Sequence, residues 1–280
     1  MSAVDGKLLE VLVTVKTYPI PSAKYDELCC TAGVTEQGEF IRLYPINYRD
    51  LPWEQQFKKY QWIEVVAQKH GRRDVRKESW RPDPATVRLL GQPIPTGPGG
   101  DWSQRGRTVL RNVAGSMEDL RDRQKNDQTS LGIFRPREVS DLVVTPVSSE
   151  WKPSFLAALA QARLWENRGT SRVPPRKVPW RFQYRFRCDD PRCTGHRLTN
   201  EDWEVGALYW RLVDQGATPE EAATKVKKKF LDQICGRDKE TYFFVGTVLA
   251  HPKSWVVIGT YYPKLGKSGG PLGETGDLFG

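Results

Sequence analysis

The eight residues Trp180–Arg187, WRFQYRFR, alternate strictly between aromatic residues and Arg or Gln. Side chains of a β-strand point alternately to its two faces, so this alternation predicts a strand. One face would then be aromatic and the other basic. The aromatic face would hold Trp180, Phe182, Tyr184 and Phe186, and the basic face Arg181, Gln183, Arg185 and Arg187. Such a strand needs a sheet around it and a core on one side.

This strand predicts contact with nucleic acid. If the aromatic face packs into the core, the arginines face outward and can follow a phosphate backbone; if it is exposed, its rings can stack on bases. Residues 172–187 contain six basic residues and no acidic one. The alternative is a half-buried strand whose arginines pair with acids elsewhere. The contacts predicted from this region are Arg176, Lys177, Trp180, Arg181, Tyr184, Arg185 and Arg187, with Trp180 or Tyr184 stacking on bases.

A second basic segment is predicted to be a loop beside Trp80 and to form the other wall of the same groove. Its contact residues are Arg72, Arg73, Arg76 and Lys77. The formal charge of +9 and pI of about 9.3 favour association with polyanions, although basic enzymes with small anionic substrates share them. Lysines 225 and 227–229 fall on a predicted helix near Glu221 and Asp232, which indicates an ordinary solvated face.

A Cys/His knuckle follows the alternating strand directly. Cys188, Cys193 and His196 lie within nine residues, and two thiolates and an imidazole at this spacing can bind one tetrahedral ion. Cys235, at the end of a predicted helix, is the candidate fourth ligand. Zinc is the predicted metal, and an iron–sulfur cluster is the alternative. The other interpretation is a surface turn without a metal, with Cys235 a small buried residue.

The signs of catalysis are weak. The acids Asp190, Asp202 and Glu204 lie near the knuckle, where a metal-dependent nuclease acting on DNA or RNA could use them to hold Mg²⁺. Acids at the start of a helix are common without such a role. The common phosphate-loop, dinucleotide and nucleophile-elbow motifs are absent from the sequence. A nucleic-acid-binding protein, a nuclease and a non-catalytic adaptor of a nucleoprotein assembly therefore stay open, with binding the main prediction.

The predicted fold class is α+β with two domains. Residues 1–90 contain strands over 7–17, 39–46, 61–68 and 86–90 and a short helix over 22–30, which indicates a β-rich, small-barrel-like domain. Residues 91–107 are rich in Pro and Gly and predict a linker. Residues 108–262 predict an α+β domain with the basic strand and the knuckle, and residues 263–280 a flexible tail.

Two further expectations concern location and partners. No apolar run approaches the roughly 18 residues of a membrane-spanning helix, there is no signal-peptide pattern, and the five cysteines are an odd number, so the expectation is a cytoplasmic protein without membrane contact. Asp277-Leu278-Phe279 resembles the end of the peptide by which bacterial DNA-processing proteins bind the sliding clamp. The resemblance implies a protein partner for the tail; a tail without a partner is the alternative.

Overall fold

The computed structural model describes residues 6–22, 26–69, 71, 74–154, 156–157, 160 and 174–269. These residues form a mixed α+β fold in which strands dominate, as the sequence predicts. Within this part of the chain, no helix is both long enough and apolar enough to cross a membrane.

A closed five-stranded barrel forms the N-terminal region. Its strands lie in the order β1, β3, β4, β6, β5, and β5 pairs back onto β1 to close the ring. The pairings are antiparallel except for β4 with β6. Along β5, alternate residues are buried, because one side of each strand fills the interior. The strands are β1 (Lys7–Lys16), β3 (Asp26–Val34), β4 (Phe40–Ile46), β5 (Gln61–Lys69) and β6 (Ser79–Pro82).

The barrel confirms the predicted β-rich, small-barrel-like architecture of the N-terminal region, but two of the predicted elements are corrected. The helix predicted over 22–30 is wrong: β2 (Ile20–Ser22) and β3 form a hairpin there. Pairing of β3 with both β1 and β4 outweighs the local helix signal, as tertiary context often does. The strand predicted over 86–90 is β7 (Arg88–Leu90), which among the described residues pairs with β5 alone and lies outside the ring.

Among the described residues that follow the barrel, two sheets and four α-helices have both ends defined. A four-stranded sheet contains β8 (Val113–Ala114), β9 (Leu131–Phe134), β13 (Tyr242–Val248) and β14 (His251–Tyr261). A three-stranded sheet contains β10 (Glu138–Pro146), β11 (Trp180–Arg187) and β12 (His196–Thr199). The helices are α1 (Ser103–Val109), α2 (Met117–Asp127), α3 (Trp203–Asp214) and α4 (Pro219–Lys227), and a π-helical segment, Lys228–Gln233, continues α4.

The predicted linker is packed against the barrel and the C-terminal strands. The Ile94 backbone N–H donates to the Tyr60 carbonyl at 2.7 Å, and the Trp102 ring lies 5.0 Å from the ring of Tyr261. In the predicted tail, the Tyr261 hydroxyl donates to the Ser268 carbonyl at 2.6 Å. Residues 263–269 therefore pack against the rest of the protein. The end of the tail, with Asp277-Leu278-Phe279, lies outside the described residues.

One hydrophobic cluster belongs to both halves of the chain. It combines Leu12, Val34 and Tyr60 of the barrel region with Phe244 and Ile258 of the C-terminal sheet, and all five are nearly inaccessible to solvent. The barrel and the second half therefore share a core.

Candidate functional site

The turn between β11 and β12 is held by its own backbone and one carboxylate. The Cys193 N–H donates to the Asp190 carbonyl at 2.9 Å, and Gly195 has φ +99°, a conformation that favours glycine. The Asp190 carboxylate accepts from the backbone and the guanidinium of Arg192. This tight turn places the side chains of Cys188, Cys193 and His196 close together on one side of the turn.

The start of α2 docks on this turn. Ser116 caps the helix, because its hydroxyl oxygen accepts from the Asp119 N–H, and the same hydroxyl donates to the Asp190 carboxylate at 2.9 Å. The Met117 N–H points at the Cys188 sulfur at 3.4 Å. Glu118, in the first turn of α2, is thereby placed against the two cysteines and the histidine.

Four possible ligand atoms converge here. One atom each from Glu118, Cys188, Cys193 and His196 lies within 4.8 Å of the others, and this group is called the knuckle cluster below. The His196 Nε2 is 2.9 Å from Glu118 Oε1 and 3.4 Å from Cys193 Sγ. Tetrahedral zinc with bond lengths of about 2.0–2.3 Å separates its ligand atoms by about 3.3–3.8 Å. The cluster is close to that geometry and could hold a metal ion.

Burial dominates the electrostatics of the cluster. It raises the pKa of the Cys188 thiol to about 12 and lowers the pKa of His196. Glu118 Oε2 and His196 Nδ1 are buried without a hydrogen-bond partner. A bound metal ion would instead lower the pKa of the thiol and of the carboxyl group, because it stabilises the thiolate and the carboxylate.

Cys235, the fourth ligand predicted from the sequence, lies apart from the knuckle cluster. Its thiol interacts with the side chains of Tyr184 and Thr241, and burial raises its pKa to about 12. Glu118, and not Cys235, completes the group of four possible ligands. The sequence offered no specific signal for Glu118, because an acid in the first turn of a helix is expected without any metal.

The acids predicted for Mg²⁺ are divided between two ion-pair networks. Asp202 caps α3, is fully buried, and accepts from Lys59 Nζ at 3.0 Å. Glu204 lies 3.3 Å from the same ammonium group. Asp190 is bound by Arg192 and Ser116. Among the residues that the structure describes, the group suited to a metal includes none of these three acids.

The alternating strand has its aromatic face inside. Phe182, Tyr184 and Phe186 are buried, whereas Arg181, Arg185 and Arg187 are exposed. On β12, Arg197 is also exposed and lies directly opposite Arg185, so both point to the same side of the sheet. The term arginine face is used below for Arg181, Arg185, Arg187 and Arg197.

Two residues predicted to bind nucleic acid are internal. Tyr184 is fully buried and its hydroxyl donates to the Phe230 carbonyl at 3.1 Å, so it has no face for stacking on a base. Arg76 is buried as well; its Nη2 lies 2.6 Å from the Asp74 carboxylate and its Nη1 donates to the Thr247 carbonyl. The basic pattern in the sequence does not reveal these internal partners.

The remaining predicted contacts lie at the surface or are not described. Lys77 pairs with Asp127. The Arg176 guanidinium lies 2.7 Å from Asp214 and 3.6 Å above the Trp210 ring. Lys177 donates to the Glu150 carbonyl, and Trp180 is half-buried. Arg72 and Arg73 lie outside the described residues.

Two family models match the chain. One, described as Domain of unknown function (DUF8758), covers residues 7–111, and the other, described as Domain of unknown function (DUF8757), covers residues 113–277. The two matches adjoin between the barrel region and β8. A comparison with curated proteins found no match.

Proposed function

The chain belongs to the family Domain of unknown function (DUF8757), and we propose that it is a nucleic-acid-binding protein that grips a phosphate backbone with its arginine face. The observation that carries the proposal is four exposed guanidinium groups on one side of a sheet. In the described part of the chain, none of the four forms a salt bridge within 4.0 Å. They are therefore available to an external anion.

The register of the sheet strengthens this argument. Arg185 and Arg197 are direct cross-strand neighbours, and like charges in that position destabilise a sheet. Asp141, the neighbour of Arg185 on β10, lies 2.8 Å from Lys227 and so offsets the charge of Arg185 only in part, and Glu138 lies opposite Arg187. Phosphates remove the repulsion and form charge-assisted hydrogen bonds with guanidinium groups, which accounts for a face that is otherwise costly.

The test is fluorescence anisotropy with labelled single- and double-stranded DNA and RNA at several salt concentrations. We expect the double variant Arg185→Gln/Arg197→Gln to bind more weakly and its slope of log K against log salt to fall by about 1–2, because each lost phosphate contact removes about 0.7–0.9. The control is Lys225→Gln/Lys228→Gln, which removes the same charge from exposed positions on and after α4. Equal weakening in both variants would show that net charge, not the arginine face, is responsible.

We also propose that the knuckle cluster binds zinc and that the site is structural. Two thiolates, an imidazole and a carboxylate are zinc ligands, and four protein ligands leave no open position for chemistry. The carboxylate disfavours an iron–sulfur cluster, which is held mainly by thiolates. A bound ion would also lock the β11–β12 turn against α2, directly beneath one end of the arginine face.

Metal analysis of the purified protein tests the zinc site. We expect one zinc per chain in the wild type, loss of zinc in Glu118→Gln and Cys193→Ser, and retention in Cys235→Ser. The last variant is the matched control, because Cys235 was the ligand that the sequence favoured. Iron with visible absorption, or zinc that depends on Cys235 and not on Glu118, would contradict the assignment.

A further inference from the structure

Two adjoining cavities form a groove between the barrel and the C-terminal sheets. Their volumes are about 300 and about 320 Å³, and both are lined by Tyr18, Ile20 and Glu201. We call the pair the Tyr18 groove. Its first cavity lies against β13 and β14, and its second lies against β11 and β12.

The first cavity has an apolar mouth and a polar floor. Ile20, Val248 and Leu249 are unusually exposed for large apolar side chains, at 45%, 37% and 38%, and all three line this cavity. Arg42 and Thr247 lie at the floor and are 1% and 5% exposed. Exposed apolar groups around a buried polar floor are typical of a ligand pocket.

The floor contains polar groups without protein partners. The terminal nitrogens of Arg42 donate to Ser79 and Ser130, but its Nε has no hydrogen-bond partner, and neither does Thr247 Oγ1. A buried polar atom that lacks a partner costs roughly 1–3 kcal/mol, so such atoms call for an explanation. A ligand with a hydrogen-bond acceptor would satisfy the Arg42 Nε.

Glu201 supplies the complementary acceptor. Its side chain lines both cavities, and burial raises its pKa. Within the described residues, no hydrogen bond or salt bridge involves its carboxylate. The first cavity therefore offers a donor at its floor and a carboxylate acceptor at its side. That combination suits a neutral group with both kinds of hydrogen-bonding atom.

The second cavity places two cations beside the arginine face. Lys177 and Arg181 line it, together with the aromatic rings of Trp151 and Trp180. Two acids line it as well: Asp202 is paired with Lys59, and Glu201 also lines the first cavity. Asn200, which is 6% exposed, also lines it, and its Nδ2 has no hydrogen-bond partner. Arg181 belongs both to this cavity and to the arginine face, so a backbone held by that face passes the mouth of the groove.

We propose that the Tyr18 groove binds one unpaired nucleotide of a single strand, with the base in the first cavity and a phosphate against Lys177 and Arg181 in the second. A nucleobase is flat, largely apolar on its faces, and carries donors and acceptors on its edge, as the walls and floor require. This inference rests on the proposed nucleic-acid binding. It adds that the protein recognises bases and prefers single strands.

The first experiment uses the wild-type protein and two labelled single-stranded oligonucleotides of equal length. One is normal, and in the other every nucleotide except the labelled terminal one is replaced by an abasic site. Both carry the same phosphates. A base in a pocket is worth about 1–3 kcal/mol, so we expect the normal strand to bind at least about fivefold more tightly in anisotropy titrations. Equal affinities for the two strands would overturn the groove assignment and leave the arginine face intact. No binding of either single strand would also overturn the groove assignment, and the proposed function itself would fall only if double-stranded DNA and RNA did not bind either.

The second experiment places the base in the groove. Glu201→Gln removes a negative charge, so a site that reads only phosphates would bind both strands as tightly as before or more tightly. The groove predicts the opposite for the normal strand: weaker binding, with the preference over the abasic strand reduced to about twofold or less. Glu220→Gln, an exposed acid in α4, is the control and should keep the full preference. If Glu201→Gln keeps it too, the base does not bind in this groove.

Discussion

At the scale of single residues, the barrel carries a lysine in an unusual setting. The ammonium group of Lys16 lies 3.7 Å from the ring centre of Tyr48 and 5.2 Å from that of Trp203, and it donates to the Phe57 carbonyl at 3.4 Å. Burial lowers its pKa from 10.5 to about 8. The aromatic rings and the carbonyl thus offset only part of the cost of removing this charge from water.

The shift predicts a specific dependence of stability on pH. Because the folded-state pKa lies below the unfolded value of 10.5, charged Lys16 destabilises the fold below pH 8, and this cost disappears as the pH rises to 10.5. The shift corresponds to about 3 kcal/mol. We expect Lys16→Met to gain stability over the wild type at pH 7 and to lose most of that advantage by pH 10.

Urea unfolding of both proteins at pH 7, 8.5 and 10 measures the difference in their unfolding free energies. The contributions of groups that titrate in both proteins cancel in this difference. The neighbouring Cys29 thiol stays neutral over the range, because burial raises its pKa to about 12. A difference in unfolding free energy that is constant with pH would show that Lys16 keeps an ordinary pKa.

Residues of the knuckle show how far a sequence predicts a site. Cys188, Cys193 and His196 are close along the chain, so their spacing alone predicts that they meet. Glu118 belongs to a helix that is far from the knuckle in sequence. Its position depends on the hydrogen bond from Ser116 to Asp190, which joins the start of α2 to the knuckle turn. Tertiary contacts of this kind leave no periodic trace in the sequence, and a residue chosen by chemical type alone, Cys235, lies apart from the cluster.

At the scale of secondary-structure elements, α3 approaches the groove so closely that only glycine fits at one position. A Cβ on Gly206 would lie 2.1 Å from Cδ2 of the Tyr18 ring. The Tyr18 hydroxyl donates to the Arg176 carbonyl at 2.8 Å, which restrains the ring from moving aside. The helix therefore depends on this glycine to pack against the residue that the two cavities share.

Gly206→Ala should destabilise the protein by about 1–3 kcal/mol, because overpacking outweighs the helix propensity that alanine adds. Thermal unfolding followed by circular dichroism measures the change. Ala207→Gly, one residue further along α3 and exposed, is the comparison and should cost only about 0.5–1 kcal/mol through propensity. A Gly206→Ala protein more stable than the wild type would mean that α3 and Tyr18 separate freely.

Elements with a strong local pattern are the ones that the sequence predicts. The alternation of β11 occurs as expected, because it is fixed by neighbouring residues. The helix predicted over 22–30 fails because its residues pair with β1 and β4, strands separated from it in sequence.

At the scale of the whole molecule, the two family segments are joined by a common interior. Val15 of β1 and Tyr60 belong to the same buried cluster as Ile133 of β9 and Tyr261 of β14. Polar contacts cross the same boundary: Lys59 pairs with Asp202. Sequence composition suggested a linker between independent domains, because Pro and Gly mark the junction, whereas the burial of the flanking residues makes the halves interdependent.

This shared interior predicts that the segment ending at residue 111 does not fold by itself. Expressed alone, it would expose the apolar side chains that the second half covers, so we expect a broad, non-cooperative thermal transition and binding of a hydrophobic dye. Mixing it with the segment 112–280 should restore a cooperative transition, measured by near-ultraviolet circular dichroism and calorimetry. A fragment 1–111 that unfolds cooperatively, near the midpoint of the full chain, would show instead that the barrel is complete without its neighbour and that the common core adds little to its stability.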